Sequence, residues 1–162
     1  AYNIFGFTLN LLFILPMISL VLVIAMIDLR HKVVLDGHAE ILALMGLGYS
    51  IFELSKITPM ESFSAGILIF SVLYSFVFLY EKIRGFSGEM MGRGDFYILG
   101  ACGTWVGIES IFNVVIYASF IGLLGFVLKK IIKSKDKEMP FAPAILISFL
   151  LVFFNVIPNN LV

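Results

Sequence analysis

Uncharged runs divide the chain. Residues 4–27 carry no charged side chain, 24 positions where ~20 suffice to cross a bilayer core. The run ends in a polar cluster, Asp28-Leu29-Arg30-His31-Lys32. A second apolar stretch covers residues 37–54, but its uncharged centre is only the 12 residues 41–52, so Asp36, His38 and Glu40 fall in its first turns. Residues 53–61, with Pro59, predict a turn. Residues 62–80 then make a 19-residue uncharged span, closed by Glu81-Lys82-Ile83-Arg84. After a loop over 85–95 come 33 residues, 96–128, interrupted by the single charge of Glu109, and the last apolar run is 140–157.

The 33-residue run is too long for one span and short for two. Its flanking lysines favour two. With a break near Gly107-Ile108-Glu109-Ser110, the cluster Lys129, Lys130, Lys133, Lys135 and Lys137 returns to the side that holds Asp95. One long helix would send those five lysines to the opposite compartment, against the positive-inside tendency. The expected architecture is therefore an all-α membrane protein, a single domain over residues 1–162 with six transmembrane helices. The fourth helix is short, because 13 residues from 96 to 108 rise only about 20 Å. Ten of the 11 basic residues then share one face, with Lys56 alone on the other. That face is expected to be cytoplasmic, which puts both chain ends outside.

Composition agrees: 60% of the residues are hydrophobic and 14% charged, with a mean hydropathy of +1.06. The formal net charge is zero, so the total gives no reason to expect a nucleic-acid partner. A lone cysteine, Cys102, excludes an intramolecular disulfide and a cysteine-built zinc cluster. The first apolar run lacks a basic leading region and is too long for a signal peptide, so it is expected to be a retained transmembrane helix.

The candidate chemistry lies at the charged boundaries. Met91-Gly92-Arg93-Gly94-Asp95-Phe96 places a carboxylate after two glycines, Gly92 and Gly94, which permit close backbone approach. By itself this is also how a helix begins, with Asp95 as its cap. The topology adds a second carboxylate: Asp28 stands 67 residues earlier, at the same membrane boundary. Ionisable groups at such depth face a bundle interior or a wet cavity rather than lipid. Two carboxylates in a partly dry site do not both ionise easily, so the pair holds one proton near neutral pH. The ionised member can take a proton from water, and the protonated one can donate to the oxyanion or leaving nitrogen of an amide. The competing reading of Asp28 is an interfacial ion pair with Arg30 or Lys32. Asp36 fits a turn or helix cap, with an assisting role open to it.

The stretches Ile27-Asp28-Leu29-Arg30, Met91-Gly92-Arg93-Gly94-Asp95-Phe96, Gly103-Thr104-Trp105-Val106-Gly107 and Met139-Pro140-Phe141-Ala142-Pro143, in that order, resemble the type IV prepilin leader peptidases. The resemblance covers residues 24–150. It implies a polytopic inner-membrane aspartic peptidase with Asp28 and Asp95 as the catalytic pair. It implies a prepilin or pseudopilin substrate, cut on the cytoplasmic side beside its hydrophobic helix, and Gly92, Gly94, Asp36 and Arg30 as residues that shape the site or meet the substrate. Neither metal nor other cofactor is expected. The chain departs from the family pattern at Tyr97, where a lysine is usual. Val34-Leu35-Asp36 stands for Leu-Pro-Asn, and Pro140-Phe141-Ala142-Pro143 for Pro-Phe-Gly-Pro. The family's Cys-x-x-Cys zinc domain has no counterpart in these 162 residues, so a minimal peptidase core is expected, with N-methyltransferase activity left open.

Two other classes compete: a small proton- or cation-coupled transporter using the same aspartates, and a scaffold in which Asp95 only caps a helix. No duplicated broken-helix pattern supports the transporter. His31 and His38 are seven apart, unlike a helical zinc pair, and His-Glu-x-x-His, Gly-x-Ser-x-Gly and P-loop sequences do not occur. Cys102 and Trp105 are expected to pack. The lysines 129–137 are expected to anchor the chain at anionic lipid, and Glu81, Glu89 and Glu138 to sit on solvated loops near the site, where they could draw a basic leader.

Overall fold

A computed structural model describes residues 2–32, 36–84, 93–132 and 140–156. They form five helices: α1 (Tyr2–His31), α2 (Asp36–Ile51), α3 (Pro59–Arg84), α4 (Arg93–Ile131) and α5 (Ala142–Val156). Three segments, Thr8–His31, Pro59–Ile83 and Gly94–Ile131, are long and apolar enough to cross a membrane, and Ala142–Asn155 is a shorter apolar helix. Large apolar side chains cover the outer faces, among them Leu12, Leu15, Phe76, Phe120 and Leu124. A water-facing surface would not tolerate that much contiguous apolar area; a lipid-facing one requires it.

Helix α3 begins three residues before the expected start at 62. Thr58-Pro59-Met60-Glu61 forms a capping box: the Glu61 carboxylate accepts from the Thr58 amide at 2.9 Å, and Thr58 Oγ1 accepts from the Glu61 amide at 3.3 Å. Pro59 opens the helix, where its missing N–H costs nothing.

The expected fourth and fifth helices form the single element α4, which Gly107 interrupts with φ 78° and ψ 176°. Contacts along its length show that the chain folds back there. Trp105 packs on Phe153 near the end of α5, with ring centroids 5.5 Å apart. Gly122 meets Phe141, just before the start of α5. Phe141 adjoins Ala142, whose amide bonds Asp28, and Asp28 is near enough to Asp95 for its charge to act there, so Gly122 and Asp95 share one end of the bundle. In a straight helix those two positions would stand ~40 Å apart, so the chain must reverse between them, with Trp105 and Phe153 toward the other end. At the turn, the missing Cβ of Gly107 is matched by Ile57 from the α2–α3 connection, which identifies that end of the bundle.

The residues of α4 before Gly107 are buried almost all round, with Phe96, Ile98, Leu99, Ala101, Cys102 and Trp105 each at most 3% exposed. They form the central post. Helices α2, α3 and α5 pack on α4, and α1 closes the bundle against α2 and α5. Close approach to α3 uses Gly66, Gly100 and Gly103, where a side chain would strike backbone. Ser62 donates to the Thr104 carbonyl across the same contact. Opposite it, Trp105 Nε1 donates to the Leu42 carbonyl at 2.8 Å, and Tyr49 donates to Asn10 Oδ1 at 2.8 Å, tying α2 to α4 and to α1.

Candidate active site

Asp28 lies in the last turn of α1, at the end of the buried stripe Ile14, Met17, Val21 and Ile24. That alternation of three and four keeps a side chain on one helix face, so Asp28 points where the stripe points, into the bundle. It is 5% exposed. Arg30, two residues on, is exposed on another face and does not join it. Asp95 is 9% exposed. It falls inside the first turn of α4, which starts at Arg93, and so is not the helix cap that the sequence suggested. At that position a carboxylate still faces the positive end of the helix.

The two aspartates share the bundle end opposite the Gly107 turn, close enough for the charge on Asp28 to act on Asp95. A third element completes the arrangement. The Ala142 amide, at the start of α5, donates to Asp28 Oδ2 at 3.1 Å. Thus α1, α4 and α5 converge on one carboxylate pair.

Gly94 is half-buried at the start of α4, next to Asp95. Gly92, Glu89 and Glu138 lie outside the described residues, as does the side chain of Asp36, whose backbone opens α2. Among the described residues, no three His, Cys, Asp or Glu side chains come together as metal donors. Cys102 is fully buried in the central post, a packing residue as expected. Trp105 also packs, and holds α2 through its hydrogen bond besides. The participation of Ala142 could not be read from its residue type, because the contact is made by a backbone amide; the Pro-Phe-Ala-Pro motif was the only signal.

An apolar groove of about 280 Å³ runs between α2, α3 and α4, with Ala43, Gly66, Gly100 and Ala101 among its lining and Glu40 and Tyr97 beside them. It does not lead to the pair. Tyr97 and Asp95 are two residues apart, about 200° around the helix, so the groove and the aspartates occupy opposite faces of α4.

Residues 15–127 match the type IV leader peptidase family. The chain is 31% identical over 130 residues to a prepilin leader peptidase/N-methyltransferase of Xanthomonas campestris pv. campestris, an alignment covering 79% of this chain and 44% of that protein. To one of the same name from Legionella pneumophila it is 29% identical over 155 residues, 93% of this chain and 52% of the relative. To one from Neisseria gonorrhoeae it is 31% identical over 114 residues, 69% and 38% of the respective lengths. The chain thus spans about half the length of the curated relatives it matches. No solved structure matches it. With a family match over residues 15–127, most of the chain, and relatives aligned across the same helices, the chain belongs to the type IV leader peptidase family.

Proposed function

We propose that this chain is a membrane aspartic endopeptidase that removes the basic leader of type IV prepilins or pseudopilins, with Asp28 and Asp95 as its catalytic pair. The observation that carries the reading is their convergence: two carboxylates from helices distant in sequence, both buried, at one end of the bundle and near enough for one charge to bear on the other. Burying two like charges is costly, and a fold with no use for the pair would have little reason to keep it. One carboxylate takes a proton from a water molecule, which attacks the scissile carbonyl. The other donates its proton to the carbonyl oxygen; as the gem-diol collapses, the first passes the proton it took from water to the leaving nitrogen, and the second recovers a proton from the gem-diol hydroxyl. The names of the relatives support the substrate class. Methylation of the product is not part of the proposal.

The proposal includes six spans in the inner membrane, counting α4 as two, with both ends of the chain outside and the pair at the cytoplasmic face. The reversal at Gly107 and the basic residues at the aspartate end support this arrangement. Gly92 and Gly94 let the backbone approach the substrate, while Arg30 and Asp36 flank the site. The substrate's hydrophobic helix lies in the membrane beside the pair. Lipid surrounds the outer helix faces.

The test is leader removal from a prepilin-like substrate by the purified protein in detergent. The unaltered chain cleaves, and Asp28→Asn and Asp95→Asn each lose activity by ~10³-fold or more, as expected when one member of a cooperating pair is removed. Retention of cleavage by either variant would refute the pair. Proton or cation flux through reconstituted vesicles, without cleavage, would favour the transporter instead.

A further inference from the structure

We propose that the start of α5 divides the work of the two aspartates: the Ala142 amide holds Asp28 as the ionised member, which activates water, and leaves Asp95 as the proton donor. This rests on the aspartic peptidase reading above and adds an order to its pair.

The geometry is that of a helix cap supplied from elsewhere in the chain. The Phe141 carbonyl accepts from the amides of Ala144 at 3.0 Å and Ile145 at 3.2 Å, which makes Phe141 the cap residue and Ala142 the first residue of α5. A first-position amide has no acceptor within its own helix. Ala142 is wholly buried, so water cannot supply one. Asp28 does, at 3.1 Å, from 114 positions earlier in the sequence. A carboxylate on a buried helix-start amide is favoured in its charged form by both the hydrogen bond and the helix dipole.

Asp95 has only part of this. It also sits in the first turn of a helix, α4, and feels that dipole. Among the described residues, however, no backbone amide donates to its carboxyl. A direct hydrogen bond to a charged acceptor outweighs the field of a helix end, so the single proton of the pair resides on Asp95. Ala142 is accordingly a positioning residue. It acts on Asp28 through its backbone amide, with no side-chain group taking part.

Two experiments test the assignment. The first uses the unaltered protein in detergent: an apolar carbodiimide, which reacts with protonated carboxyls, is followed by peptide mapping. Modification at Asp95 should exceed that at Asp28 by roughly tenfold, the ratio one charge-assisted hydrogen bond confers. Equal modification, or preference for Asp28, overturns the proposal. The second measures kcat and KM on the prepilin-like substrate. Ala142→Pro deletes the N–H at a helix position that accepts proline. It should lower kcat roughly tenfold with KM nearly unchanged, while Ala142→Gly, which keeps the amide, restores most of kcat. Wild-type kcat in Ala142→Pro overturns the proposal. Should that variant fail to fold, the modification pattern of the unaltered chain still decides. Absence of any cleavage would count against the peptidase reading, and the modification pattern would still say which aspartate carries the proton.

Discussion

Gly46 has no room for a side chain. A Cβ there would come within 2.7 Å of Trp105 Cδ1, because the indole lies across α2 to reach the Leu42 carbonyl. Gly46→Val should therefore cost about 1–3 kcal/mol of stability, read as a lower melting temperature in detergent. Trp105→Phe shrinks the buried indole to a phenyl ring and loses the hydrogen bond, so cavity and lost donor together should cost about 2–4 kcal/mol in the same measurement. Asp28 offers a finer contrast. Asp28→Ala leaves the buried Ala142 amide without its acceptor, at about 1–3 kcal/mol, whereas Asp28→Asn retains an amide oxygen that can replace it. Both variants should be inactive, yet only the alanine variant should melt clearly earlier. Equal melting of the two would mean that the Ala142 contact contributes nothing to holding α5.

At the scale of elements, the decisive feature is the turn at Gly107. Its φ of 78° with an extended ψ is a conformation that only glycine adopts at low cost, and a Cβ would meet Ile57 at 2.9 Å. Gly107→Ala should cost about 1–3 kcal/mol through the backbone alone. The double variant Gly107→Ala/Ile57→Ala relieves the contact but not the backbone, so its melting temperature should not recover. Recovery would show that crowding, and not the dihedral, sets the requirement. The sequence located this break within four residues, from the length of the apolar run and the charge of Glu109, but could not say which residue turns. A single positive φ decides that, and no composition signal separates Gly107 from the other glycines of the run. The early start of α3 was written in plain view as Thr-Pro-x-Glu, though the apolar run alone does not reveal it.

For the whole molecule, the arrangement predicts two chemically distinct sides. Cysteine placed at Lys56 should react with a membrane-impermeant thiol reagent added to intact cells. Cysteine at Lys130 should react only after the membrane is opened. Native Cys102 is buried and should stay silent in both. Labelling of both positions from the same side would overturn the six-span topology; the common face of Asp28 and Asp95, both of which precede the turn at Gly107, does not depend on that outcome.

By itself the sequence determined that the chain is helical and apolar enough for a membrane, where its runs begin and end, and which two aspartates stand at the charged ends of those runs. Length, charge and order along the chain carry that information, and all three survive without coordinates. Which face of each helix points inward was decided only by the tertiary structure. In water, an amphipathic pattern announces the core. Here the outer faces are as apolar as the inner ones, so the stripe Ile14, Met17, Val21, Ile24 cannot be told from the exposed Leu11, Leu12, Leu15 and Leu22 beside it. Packing alone turns Asp28 toward Asp95 and brings the backbone of Ala142 against it, through a hydrogen bond whose donor belongs to no side chain.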